Sequence, residues 1–225
     1  MSKDKKPTQP CSEDGKKTVG STTEKCPLAL KTNLGEKIDK AIDKCPKFAE
    51  NLKKLQNEGW SFEYGEKGKG SYCQKSAKKI VIDADEKNNT ALVVQTMAHE
   101  SGHAMYKADP YVPPDGLTKA DYASKNANSS LKDEGEATLT NIEMKKCLKD
   151  NGGISINVAG VNAKKYEKIA EKYPDSKDRD KARQEIGDIF ADGEHPSTAP
   201  DKTYRQNYEQ PYLDYYDKWK NNNKA

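Results

Sequence analysis

Two histidines four residues apart flank a glutamate in the run His99-Glu100-Ser101-Gly102-His103. On a helix, side chains at i and i+4 leave the same face. His99 and His103 can therefore both offer a ring nitrogen to one Zn²⁺, with Glu100 in reach of a water on that ion. Zinc lowers the pKa of its water towards ~7, and a neighbouring carboxylate then serves as general base. The chain has only three histidines, and two of them stand at this spacing. That coincidence disfavours two ordinary helical histidines beside a surface glutamate. Gly102 leaves room beside the second histidine for another backbone or for a substrate.

A catalytic zinc usually takes three protein ligands and one water. The third ligand is expected in Asp133-Glu134-Gly135-Glu136-Ala137, at the start of a helix that can cross the first. Glu136 and Glu134 compete for the role. Glu136 is preferred, because Ala137 allows close helix packing and Thr140 and Glu143 share its face and can support it. A carboxylate at a helix N-terminus is also favoured by the helix dipole, which accounts for Glu134 without a metal. His195 and Asp109 are weaker candidates. A closed structural zinc site would need a fourth protein ligand, usually cysteine, and no cysteine is near His99 in sequence, although Cys73 or Cys147 could approach in space.

The surrounding pattern reads as α+β and mostly helical, with a small antiparallel sheet before the active-site helix. Leu34, Ile38, Ile42, Phe48, Leu52 and Leu55 recur at helical spacing over 33–58, with Pro46 dividing two helices and Gly59 ending the second. Trp60, Phe62 and Tyr64 alternate as in a half-buried strand, and Ser71–Gln74 and Lys79–Asp83 read as two more. The helix of the histidines should run from about Thr90 to Lys107, with Asn88 or Asn89 as N-cap. A proline-containing loop is expected over 108–130, then a helix from about Leu131 to Lys149, a short strand over 154–158, and helices over 162–172 and 178–191. Tyr204, Tyr208, Tyr212, Tyr215 and Trp219 place aromatics on one face of a last helix that Pro211 should split. That stripe is expected to pack on the body of the domain. Residues 1–25, rich in Lys, Ser, Thr, Pro and Gly, read as a flexible arm, with one domain over 26–225.

The five-residue run with its downstream Glu136-Ala137 resembles the zincin metallopeptidases, and within them the glutamate-zincins, whose third ligand is a helix-borne glutamate. The order of strands before the helix is similar too, with Lys79–Asp83 as the edge strand above the cleft. The likeness covers about residues 60–150. It implies an amide-hydrolysing zinc enzyme with His99, His103 and Glu136 on the metal and Glu100 as base. It also implies a histidine or tyrosine that holds the oxyanion, for which His195, near Tyr204, is the candidate. The sequence departs from the pattern four residues after Glu136, where Thr140 stands in place of an aspartate. A weaker likeness joins the chain to toxin metallopeptidase domains of bacterial polymorphic and type VI secretion effectors. That likeness implies a secretion carrier, an immunity protein, and a peptide, protein or peptidoglycan substrate.

Composition narrows the classes. Of 225 residues, 39 are basic and 36 acidic, and the charges are interspersed, which argues against a nucleic-acid partner. No apolar run approaches the roughly 20 residues that span a bilayer, so no membrane insertion is expected. Met1-Ser2-Lys3-Asp4-Lys5-Lys6 has no hydrophobic signal core, which predicts secretion or delivery without a cleaved signal peptide. The five cysteines include no CxxC pair, and one or two disulfides fit an oxidising compartment. A different class of function is a non-catalytic binding module that uses the aromatic C-terminal face.

Overall fold

The computed structural model describes residues 30–196 and 198–223. The arm expected over 1–25, with Cys11, and Cys26 beyond it, lie outside the described residues. The fold is α+β and mostly helical. Helices α1 (Glu36–Ile42) and α2 (Pro46–Asn57) open it, and Pro46 takes the first helical position of α2, where its missing N–H costs nothing. Phe48, Ala49, Leu52 and Leu55 line the buried face of α2.

Strands β1 (Ser61–Tyr64), β2 (Tyr72–Gln74) and β3 (Lys79–Ile82) follow in the spatial order β1-β3-β2. The sheet is mixed, not antiparallel as expected: β1 runs parallel to β3 and β2 runs antiparallel to it. The apolar run Ile80-Val81-Ile82 is buried, so β3 takes the centre and β2 becomes an edge. The strand over the cleft is thus β2, which corrects the placement of Lys79–Asp83. The turn before β2 is held by the Asp83 carboxylate, which accepts N–H bonds from Gly68 at 3.0 Å, Gly70 at 2.7 Å and Asp85 at 2.8 Å. Those bonds hold its pKa below the usual carboxylate value against the opposing effect of burial.

Helix α3 (Thr90–Met105) starts at Asn89, whose side chain accepts the Leu92 N–H at 3.1 Å. Val93, Val94, Met97 and Ala98 are fully buried. They pack with α1, α2, the sheet and Met144 and Leu148 in the larger core. Helix α4 (Lys119–Asp150) starts twelve residues earlier than expected, at the cap Thr118. The Asp, Ser and Asn residues of its first turns are indifferent helix formers, and tertiary contacts settle the matter. Tyr122 is buried, and the Asn126 side chain bonds both the N–H and the C=O of Val112, stitching the preceding loop onto the helix.

Helices α5 (Ala163–Lys172), α6 (Arg179–Gly193) and α7 (Tyr204–Asn222) complete the fold, and the first two meet α4 in a second core around Tyr166, Ile186 and Phe190. Residues 154–158 form no strand. Their backbone is satisfied by side chains instead: Gln95 accepts from Asn157 N–H, and Asn141 bonds Asn157 C=O and Ala159 N–H. Helix α7 continues through Pro211, which was expected to split it. Its Thr203/Gln206 capping box and its packing on α4 outweigh the one N–H that proline removes. A disulfide joins Cys45, at the start of α2, to Cys147, near the end of α4, and Cys73 is free.

Three glycines, Gly102, Gly135 and Gly187, let helices approach α4 closely, the last against the Leu131 backbone. A Cβ on Gly102 of α3 would lie 2.5 Å from Ala137 Cα, and one on Gly135 of α4 would lie 2.3 Å from the Arg183 carbonyl oxygen of α6. Helix α4 is thereby clamped between α3 and α6, and that clamp decides what each of its acidic residues meets. Among the described residues no helix is long and apolar enough to cross a membrane.

Candidate metal centre

Helix α3 presents His99 and His103 to α4, as their i, i+4 spacing requires. Their rings stand edge to face with centroids 5.0 Å apart. Glu134 comes from α4, where it lies one turn before Ala137 and so on the side that meets α3 at Gly102. Its Oε2 lies 3.7 Å from His99 Nε2 and 3.6 Å from His103 Nε2. The three donors lie within 4.8 Å of one another. Ligands about 2.0–2.2 Å from a tetrahedral zinc are separated by roughly 3.3–3.5 Å, so the set suits that ion after small adjustments. Two imidazoles and a carboxylate are also the donor chemistry of catalytic zinc.

Glu136, the preferred third ligand, does not join this group. Two residues further along α4, it faces α6. Arg179 Nη2 donates to its Oε1 at 2.8 Å and Arg183 Nε to its Oε2 at 2.5 Å. The shared face with Thr140 and Glu143 is real, but it supports an ion-pair network: Arg179 also bonds Glu143, and the Thr140 hydroxyl bonds the Glu136 carbonyl. Burial opposes ionisation of Glu136, and the two guanidiniums outweigh it and hold its pKa down. Asp109 is 3.4 Å from Lys132 and takes no part in the centre.

His195 is exposed and does not line the cleft over the centre, so the oxyanion role expected for it is not supported by its position. The extended segment there alternates sides: Glu194 and Pro196 turn inward and His195 turns out. Glu194 is buried, with its Oε1 accepting from Tyr166 OH at 2.8 Å. Pro196, Thr198 and Tyr204 border the cleft instead.

Two partners of the centre were not foreseen. The Asp133 carboxylate meets His103 Nδ1 at 2.8 Å, and its other oxygen accepts from Lys75 Nζ at 2.6 Å. Were a metal held there, Asp133 would give His103 the carboxylate support that the departure at Thr140 leaves missing. The adjacent acids Asp133-Glu134 were its only trace in the sequence. The second partner is Tyr208 of α7, whose hydroxyl donates to Glu134 Oε1 at 2.5 Å. It lies 74 residues from Glu134, and nothing local could have announced it. His99 has no such support, since its Nδ1 is buried without a hydrogen-bond partner among the described residues.

The electrostatics reflect a cluster of acids around two imidazoles. Burial opposes the His103 cation, but Glu134 and the Asp133 bond prevail and push its pKa up to about 9. Burial also opposes the Glu134 anion, and the two histidines and Tyr208 pull its pKa down. For Glu100, which is buried, desolvation wins over the neighbouring histidines and raises its pKa. Glu100 lines the same open cleft as the three donors, a space of about 670 Å³ between β2, α3, α4 and α7. Comparison with protein-family models, curated proteins and solved structures finds no match to this chain. The site's chemistry rests on its own geometry.

Proposed function

We propose that the protein is a zinc-dependent peptidase or amidase of the zincin kind. The observation that carries this reading is the convergence of His99, His103 and Glu134 at an open cleft that Glu100 also lines. Three ligands with an open side suit a catalytic ion better than a structural one. Zinc bound there would polarise the substrate carbonyl and acidify the attacking water. Glu100 takes the proton of that water and returns it to the leaving amine. Asp133 keeps His103 in the tautomer that offers Nε2, and Tyr208 occupies Glu134 Oε1 so that Oε2 is left for the ion.

The competing binding-module reading is weakened by the use made of the aromatic face of α7. Of that face, Tyr208 bonds Glu134 and Tyr212 packs on Tyr122, while Tyr215 stays exposed; Tyr216, beside the face, is buried with its hydroxyl on the Leu117 carbonyl. The Cys45–Cys147 disulfide supports work in an oxidising compartment. On this reading the enzyme works outside the cytosol, secreted or delivered into a target cell, on peptide, protein or peptidoglycan. A secretion carrier and an immunity protein are the partners implied by the likeness to effector domains.

The test is Glu100→Gln. The variant should keep about one zinc per chain and lose about 10²–10⁴-fold in amide hydrolysis. Hydrolysis at the wild-type rate would overturn the reading.

A further inference from the structure

The cleft over the centre has unusual walls. Binding pockets are mostly lined by apolar and aromatic side chains with a few polar groups. Among the described residues, no Leu, Ile, Val, Met or Phe lines this one, and its aliphatic surface comes down to Pro196. A second cavity, about 950 Å³ between α4, α5 and α6, is also rich in charged side chains but includes Met105, Leu139 and Ile142 in its walls.

Many of these polar groups are not used by the fold. The side-chain amides of Gln74 and Asn207 and the hydroxyls of Ser130, Tyr72 and Tyr204 make no hydrogen bond to another described residue, whereas Tyr208 beside them is committed to Glu134. They come from β2, α4 and α7 and therefore surround the centre. The charge on the walls is largely cancelled, because Lys75 and Asp133 pair at 2.6 Å. The remaining acids, Glu100 and Glu134, belong to the centre itself.

Building on the amide-hydrolase reading, we propose that the substrate is a peptide segment whose side chains flanking the scissile bond are neutral and polar: Ser, Thr, Asn or Gln. Such side chains exchange hydrogen bonds with the wall amides and hydroxyls. An aliphatic side chain strips water from the same groups and leaves them unpaired, which discriminates strongly against it. A charged side chain finds no free counter-charge on the walls. Asn207, which lines the cleft from α7 with its side-chain amide unpaired among the described residues, is taken as the specificity-determining residue to test.

The experiment uses the full chain loaded with zinc and four sets of synthetic peptides of equal length. Their variable positions are neutral polar, aliphatic, acidic or basic, and cleavage is followed by mass spectrometry. The neutral polar set should be cut with a kcat/KM about 10- to 100-fold above the aliphatic set. Asn207→Leu should narrow that ratio while zinc stoichiometry stays at one. The wild-type comparison decides the matter even if the variant does not fold. Equal cleavage of all sets, or preference for aliphatic or charged peptides, overturns the inference and leaves the enzyme reading intact. Cleavage of purified sacculi with no cleavage of any peptide overturns the peptide class. A chain that binds one zinc and cuts nothing overturns the enzyme reading itself.

Discussion

Glu134 and Glu136 stand two positions apart on α4, both buried, and the two faces of that helix put them to opposite uses. The face against α3 brings Glu134 to two imidazoles and a phenol, and its counter-charge there is the His103 ring, whose proton can be given up. The face against α6 brings Glu136 to two guanidiniums that neutralise it outright. A buried carboxylate needs a counter-charge. On the α6 face that charge is permanent; on the α3 face it is a titratable imidazole, which a metal ion could replace. The step of about 200° between positions i and i+2 of a helix is enough to separate the two fates.

The largest effect should come from removing each acid in turn. Glu134→Ala should abolish stoichiometric zinc binding, a loss beyond the roughly 10–100-fold that an outer partner contributes. Glu136→Ala should keep one zinc per chain and instead destabilise the fold by about 3 kcal/mol, since two half-buried arginines lose their shared partner. Elemental analysis beside urea unfolding checks both. Zinc lost from Glu136→Ala at full stability would reverse the comparison.

The two helix contacts can be probed the same way. Gly102→Ala and Gly135→Ala each push a Cβ into opposing backbone and should each cost about 1–3 kcal/mol. Only Gly102→Ala parts α3 from α4, so only it should weaken zinc binding as well. Equal zinc affinity in the two variants, measured by chelator competition, would mean that the α3–α4 spacing does not set the site.

A smaller effect tests the support of the centre. Asp133→Asn should lower zinc affinity about 10- to 100-fold with little change in unfolding midpoint. An unchanged affinity would reduce the His103 contact to packing.

The smallest effect separates the faces by pH. The folded-state pKa of Glu136 is depressed, so its stabilisation is fully present above the ordinary carboxylate value, about 4.3, and is lost as pH falls through the lower, folded-state value. Glu136→Gln cannot titrate and should show a shallower fall in stability below about pH 4. Parallel acid limbs for the two proteins would remove Glu136 from the acid response.

Much of this molecule could be read without its coordinates. His99, Glu100 and His103 announce themselves because i, i+4 geometry is local to one helix, and Asn89 could be named as one of two caps for the same reason. Helices α1 and α2, their break at Pro46 and the burial of α3 follow from apolar periodicity and a missing N–H. Elements whose stability comes from partners were misread. Residues 119–130 looked like loop because Tyr122 and Asn126 gain their stabilisation from α7 and from Val112. Residues 154–158 looked like strand because their backbone partners are side chains from α3 and α4. Helix α7 looked broken because its packing on α4 could not be weighed against Pro211.

The sequence by itself thus determined that two histidines and a glutamate share one helical turn, and that an acidic helix follows. It could not decide which acid faces the histidines, because that depends on how α4 is rotated between its neighbours. Tertiary structure made the choice through close approaches: Gly102 on Ala137 against α3, and Gly135 on Arg183 and Gly187 on Leu131 against α6. They turn Glu134 to the histidines and Glu136 to the arginines. It also brought in Asp133, Tyr208 and the polar walls of the cleft, whose roles depend on distances between helices that no local spacing encodes.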